Sequence, residues 1–594
     1  MALARLDLAA ATVERLDNGL TVIVLEEPAF PLVSVQMLYR VGAKHESLGA
    51  TGLAHFLEHM AFRATENFPG TEVVSSIYAA GGEWHGYTWL EQTTYFATAP
   101  RAELDLLLRI EADRMARLLI PKDDIEAEIG AVLSEMHGYE NDPASVLHDN
   151  VLYLSFLAHP YRNNSIGWES DIAGIRHEEV VAFYRQHYHP GNAVLAIVGD
   201  VRSSDVLAQA RRLFGSLAGR SPTPDPRTVE PPQQGERRVR LHGAVDRKHF
   251  KMAWRAPSVR SPDFAPFLVV QELLAGGSGV NFLQNDWGTP ARAESPLGAI
   301  AAEIATWYPP AAQDYVFMTS GSIPGDADEA ALEAAVQRAI GALDARLGTR
   351  TPALDQELGR ARQAVLRELT YDVLTTEDAA HQLAYFSGLG ALEVLTGLPQ
   401  SVASVDAGDV QRVLRAYLGP AQRTVGWYVP NEEVESMPSA SASDATPPAV
   451  EGVAEVGSET LRANVPAGAP TGPAPAPTVH HLRNGTPLIV QPSSLSPTVH
   501  LKVILPGAVA LDGVDSSPGQ PVAGVTSLDF QLLPGELRTT VAVLREALEK
   551  RAVESLRPGQ FTADPSARLE RHFDDILGLS ENSNVLPEPP VPLL

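Results

Sequence analysis

Two stretches of this sequence cannot pack, and they decide how many folded bodies the rest can make. Residues 219–236, GRSPTPDPRTVEPPQQGE, and the longer run 431–478 are dominated by Pro, Gly, Ala, Ser and charged residues. Neither can bury enough apolar area to offset the entropy of ordering it. A chain of 594 residues also exceeds what one core usually serves. The expected layout is a first domain over 12–215, a linker over 216–236 and a second domain over 237–430. A flexible tether over 431–478 and a shorter third segment over 479–594 follow.

Within the first two pieces strand and helix patterns alternate. LTVIVLEE and LVSVQMLYRVG read as strands, GLAHFLEHMAF as a helix, EQTTYFATA as a strand, 101–119 and 122–139 as helices, and NAVLAIVGDV as a nearly all-apolar strand. The second piece repeats the recipe with MAWRAP, FAPFLVVQELLAGG, YVFMTSGSI, helices over 327–346 and 353–372, and TVGWYVP. The fold class predicted is α+β, two tandem domains of packed helix and sheet layers. After the tether the opening returns: at a constant offset of 466, Asn18, Gly19, Ile23, Val24, Pro31 and Val33 recur as Asn484, Gly485, Ile489, Val490, Pro497 and Val499. Extended with a small gap, this repeat sets GVTSLDFQLL opposite GLAHFLEHMA, so that Ser527, Phe530 and Gln531 stand where His55, Glu58 and His59 stand. The third segment then reads as a truncated, chemically silent copy.

Composition removes several function classes. Lys and Arg number 46 against 73 Asp and Glu, a formal charge of −27 that disfavours nucleic acid and anionic membranes as partners. With no cysteine there are no disulfides, thiolate metal sites or cysteine nucleophile. No window approaches the roughly 18 apolar residues of a membrane span. Arg5, Asp7 and Glu14 interrupt any signal-peptide core, so a cytoplasmic location is expected, with the periplasm open.

The chemistry gathers on one helix. His55 and His59, four residues apart, project about 40° from each other on one face, with Glu58 beside them. Two neutral imidazoles with a carboxylate close by suit a divalent zinc that still needs a third ligand and keeps one position for water. Chance gives roughly 0.06 occurrences of H-x-x-[DE]-H in a chain of this composition. A polar stripe carrying two histidines by accident is the plain alternative. On the helix IEAEIGAVLSEMHGYE, Glu128 and Glu135 are seven apart and therefore on one face, about 20° from eclipsed. One could ligate and the other hold a histidine; taken alone, two solvated glutamates are the simpler reading.

Together these residues resemble the inverted-motif zinc peptidases of the pitrilysin, insulin-degrading enzyme and mitochondrial processing peptidase family, M16. The likeness covers roughly residues 12–430. It rests on GLAHFLEHMAF, on Glu135 placed 76 residues after His59 (135 − 59 = 76), on Gly81, Gly82, Thr94 and Tyr95, and on NAVLAIVGDV. The resemblance implies His55, His59 and Glu135 as ligands of one zinc per chain. It also implies Glu58 as general base, Glu128 as supporting carboxylate, and hydrolysis of peptides or unfolded segments. It further implies a chamber completed by a second copy or a related subunit.

The chain departs from the family in three places. The family's Arg and Tyr, seven residues apart, have no counterpart at that spacing, because Arg292 and Tyr308 are the only candidates in their stretch. His85 stands where Asn is more usual, touching peptide, serving as a fourth polar neighbour of the zinc, or idle on an exposed strand, while His137, His148, His159, His187 and His189 suit surface or capping roles. The third segment is silent. A non-catalytic structural subunit is therefore the alternative function. The sulfur-metabolising lyase that shares this helix motif needs a cysteine and is excluded.

Overall fold

The computed structural model describes residues 7–431 apart from 278, 285–287, 302 and 350, and beyond them only strands between 478 and 532. Of the tether expected over 431–478, residues 432–477 lie outside the described residues, as does the end of the chain from 533. Two units separate, one of Leu6–Ser458 and one formed mainly by Glu459–Leu594.

In the larger unit, β1 (Thr12–Arg15), β2 (Thr21–Glu26), β3 (Leu32–Tyr39), β5 (Glu83–Thr88), β6 (Thr93–Pro100) and β8 (Ala193–Gly199) form a six-stranded sheet of order β1-β2-β8-β3-β6-β5. A two-residue pair, β4 (Ala64–Thr65) with β7 (Leu118–Leu119), stands apart. Strand β8 runs parallel to β2 and antiparallel to β3. All seven of its residues are buried, which explains why its sequence shows no alternation: both faces are covered. On one face Leu195 and Ile197 share a core with Phe56, Leu57 and Met60 of α1 (Leu53–Ala61) and with apolar residues of α2 (Glu72–Ala79), α3 (Leu104–Arg117), α6 (Glu169–Ala173), α7 (His177–His187) and α8 (Ser203–Phe214).

The second half builds the same sheet again. β9 (Arg237–Gly243), β10 (Arg247–Ala256), β11 (Thr289–Pro290), β12 (Ala305–Trp307), β13 (Tyr315–Pro324) and β14 (Arg423–Pro430) take the order β11-β12-β13-β10-β14-β9. As in the first sheet, the one parallel pair, β14 with β9, borders a run of antiparallel neighbours. Its core packs under α9 (Phe264–Ala275), α10 (Glu329–Thr349), α11 (Pro352–Tyr371), α13 (Leu392–Ser404) and α14 (Ala407–Tyr417).

Each half lends a helix to the other's sheet. From the first half, α4 (Lys122–Glu140) leads into α5 (Pro143–Ser155), which lays Leu147, Val151 and Leu152 on Ala253, Val316 and Met318 of the second sheet. From the second half, α12 (Thr376–Gly388) lays Ala379, Ala380, Leu383 and Ala384 on Ile23, Leu38, Val194 and Ala196 of the first. The Pro-rich segment between the halves carries no helix or strand, yet it is pinned. Thr223 N–H donates to Asn192 Oδ1 at 2.9 Å, Asp225 pairs with Lys44 at 2.7 Å, and Glu230 accepts the backbone N–H groups of Leu157, Ala158 and His159 at 2.7–2.9 Å.

In the smaller unit the sequence repeat reappears as strand register. β15 (Thr478–His481) pairs with β16 (Pro487–Val490) through Thr478↔Val490 and Val479↔Ile489, while β1 and β2 pair through Thr12↔Val24 and Val13↔Ile23, the same offset of 466. The placement of Ser527, Phe530 and Gln531 opposite His55, Glu58 and His59 is corrected. Val525–Leu532 is a strand, not a helix, and pairs antiparallel with Val499–Pro506 as β6 pairs with β3. Between β3 and β6 lie 53 residues (40–92), but between these two strands only 18 (507–524). The segment that holds α1, β4, α2 and β5 in the first half is thus 35 residues shorter in the copy.

Candidate metal centre

Helix α1 starts at Gly52, whose φ of +83° is the left-handed conformation that glycine adopts freely and whose missing Cβ would lie 2.5 Å from Ile166 O. The Glu46 carboxylate accepts the N–H groups of Gly52 and Ala54, each at 2.7 Å, satisfying donors that a helix start leaves open. With its apolar residues committed to the core, the helix turns His55 and His59 toward a cleft, ring centroids 4.6 Å apart. Glu58 lies between them and the sheet, 7 % exposed. From α4, Ile125, Val132 and Met136 anchor the helix, Glu135 reaches the same cleft, and the buried Glu128 meets His59 from behind.

Three donor atoms converge. Glu135 Oε2 lies 3.6 Å from His55 Nε2 and 3.4 Å from His59 Nε2, and one atom from each residue fits within 4.8 Å of the others. A tetrahedral zinc with bonds of about 2.0–2.2 Å sets neighbouring ligands roughly 3.4 Å apart. Two imidazole nitrogens and one carboxylate oxygen therefore fit the metal in both spacing and donor type. Among the described residues this is the one such cluster. Glu128 holds the second histidine from behind: its Oε1 is 2.8 Å from His59 Nδ1, and its Oε2 accepts Arg63 Nε at 2.6 Å. Arg63, one turn after His59, was not singled out from sequence, although the four-residue spacing was there to be read.

The protonation states are divided by environment. Burial pushes His55 down to about 4, which keeps its ring neutral as a ligand must be. Burial also opposes charge on His59, but its hydrogen bonds to Glu128 and Glu135 outweigh that and push it up to about 10. A proton on His59 thus occupies ground that a metal cation would contest. Burial pushes Glu58 up to about 7, against the hydrogen bond from Thr88 and the nearby His59. Glu135 is held below the usual carboxylate range, chiefly by its hydrogen bond to His59.

A cavity of about 440 Å³ opens beside these groups, walled by Trp89 and Tyr87 and, from the second half, by Phe282, Trp307 and Tyr315. Arg292 and Tyr308 take no part in it. Arg292 is bound to Glu272, and the buried Tyr308 hydroxyl donates to Pro257 O at 2.6 Å. His85 sits on the opposite face of β5 from Gly86 and Thr88, 5.5 Å from the Phe96 ring and away from the cavity. His159, His187 and His189 are buried rather than surface residues. His159 caps a short helical turn, and His187 Nδ1 meets Thr223 Oγ1 at 2.8 Å.

No helix among the described residues is long and apolar enough to cross a membrane. The family model described as Insulinase (Peptidase family M16) matches residues 21–167, and that of the Peptidase M16 inactive domain matches 174–298. The chain is 26 % identical over 425 residues to the zinc protease PqqE of Helicobacter pylori, covering 70 % of this chain and 92 % of that one. To an uncharacterized zinc protease of Streptomyces coelicolor it is 30 % identical over 232 residues, spanning half of that protein's length. The fold is similar to the crystal structure of a protease from Helicobacter pylori, with a TM-score of 0.64 at 24 % identity over 71 % of this chain and 99 % of that one. It is also similar to a peptidase M16 inactive domain from Pseudomonas fluorescens, with a TM-score of 0.62 at 16 % identity over 71 % and 98 % of the two chains. With the repeated sheet and its two family models in sequence, the chain belongs to peptidase family M16 across residues 21–298.

Proposed function

We propose that the chain is a zinc-dependent endopeptidase that hydrolyses peptides or unfolded segments, with one zinc per chain held by His55, His59 and Glu135. The observation that carries this is the convergence of those three donor atoms beside a buried glutamate at the mouth of a cavity. A zinc held by His55, His59 and Glu135 would supply a Lewis acid able to polarise a carbonyl and lower the pKa of water. Glu58 takes the proton of the attacking water and passes it to the departing nitrogen. Glu128, braced by Arg63, fixes the ring of His59. Aromatic walls from both halves line the space beside the cleavage point.

The domain limits we propose are 12–215 for the metal-binding body, 237–430 for a second body without a metal site, and 479–594 for the truncated copy. A second copy, or a related subunit, would complete the chamber around substrate. The engagement of Arg292 and Tyr308 elsewhere favours one other reading, a structural subunit that turns over no peptide by itself. Metal analysis of the full chain beside Glu58→Gln, with a quenched peptide, tests both. Zinc near one per chain and turnover lost in the variant support the enzyme. Equal turnover by the two proteins eliminates it, and turnover that appears only on adding a family partner favours the subunit.

A further inference from the structure

We infer that Thr88 is a positioning residue for Glu58: its hydroxyl ties up one carboxylate oxygen so that the other is presented to the reacting proton. This rests on the peptidase reading above. Thr88 Oγ1 donates to Glu58 Oε2 at 2.7 Å. Its nearest alternative acceptor, Thr93 Oγ1, is 3.4 Å away, and the Thr93 proton is itself given to Val41 O at 2.9 Å. The single Thr88 proton is therefore committed to Glu58. Among the described residues no hydrogen bond engages Oε1.

The rest of the strand face is shaped around the same carboxylate. Trp84, Gly86 and Thr88 alternate onto the side of β5 that meets α1. A Cβ at Gly86 would stand 3.1 Å from Glu58 Oε1 and 2.6 Å from the Phe62 ring. Threonine's branched side chain has few χ1 choices in a strand, so its hydroxyl holds its direction. Remove that hydroxyl, and Oε2 becomes a buried acceptor without a donor, which the carboxylate relieves by turning.

The test uses the full chain as wild type, Thr88→Val, Thr88→Ser and Glu58→Gln, with peptide kinetics, zinc content and crystal structures of the metal-free proteins. In Thr88→Val, kcat falls on the order of 10- to 100-fold while KM and zinc content stay within about twofold, and Thr88→Ser recovers most of the loss. Glu58 turns away from its present rotamer in Thr88→Val and keeps it in Thr88→Ser. Undiminished kcat in Thr88→Val, a Thr88→Ser enzyme as slow as the valine variant, or an unmoved Glu58 in the valine structure each overturns the inference. A wild type without turnover defeats the peptidase reading instead, and the rotamer comparison then still decides the role of Thr88.

Discussion

His59 Nδ1 lies 2.8 Å from Glu128 Oε1, so the ring is held from behind while its Nε2 faces His55 and Glu135. Loss of such support from a metal-ligating histidine typically costs 10- to 100-fold in metal affinity. We expect Glu128→Gln to bind zinc more weakly by about that factor while retaining a one-to-one stoichiometry. Competition against a chromophoric chelator measures it. Unchanged affinity would mean that packing alone orients the ring.

The buried Glu91 carboxylate joins the two halves. It accepts Lys44 Nζ at 3.2 Å, the Tyr161 hydroxyl, and the Ala312 N–H from the second half at 3.2–3.3 Å. Glu91→Ala leaves the buried Tyr161 hydroxyl and the Ala312 N–H without their acceptor, while Lys44 keeps Asp225, and should destabilise the protein by about 2 kcal/mol, the usual cost of stranding buried donors. Urea unfolding reads this directly, and a midpoint within error of wild type would contradict it.

Lys251 is 8 % exposed at the contact between α5 and β10, and burial pushes it down to about 8, against Asp142 and Asp149. Its folded value is below the usual lysine value of 10.5, so between the two the unfolded chain binds more protons. Stability attributable to this group therefore rises from about pH 8 to 10.5 and is lost as pH falls through 8. Thermal midpoints across that window should climb less steeply in Lys251→Met than in wild type. Parallel curves for the two proteins would refute the assignment.

Residues 1–236 expressed alone lack α12, which exposes Ile23, Leu38, Val194 and Ala196 on one face of the first sheet. We expect this fragment to aggregate or bind a hydrophobic dye, and co-expression with 237–431 to restore a soluble pair. A monomeric, cooperatively melting fragment would show that the exchanged helix is dispensable.

The local part of the site was legible in sequence because one helical turn fixes it. His55, Glu58 and His59 had to share a region of α1 once the apolar residues around them were assigned to the core. Glu128 and Glu135 were legible only as a pair on one face, since periodicity cannot say which neighbour that face meets. The same limit hid the helix exchange: amphipathicity marks the apolar side of α5 and α12 but not the sheet that receives it. Thr88 gave no signal at all, because its role depends on a strand folded against a helix thirty residues earlier in the chain. In 525–532 a signal was present and overridden. Leu528, Phe530 and Leu532 alternate with polar residues, the two-residue period of a strand, and the alignment with a helix ignored it.

The crossing of α5 and α12 also has a mechanical consequence. Glu135 rides on α4, and α4 reaches α5 through only Asn141 and Asp142. A displacement of the second sheet is therefore expected to shift the carboxylate that faces the two imidazoles. The distant half of the molecule, with no donor atom of its own among the three that converge, is geared to the geometry on which their grip depends.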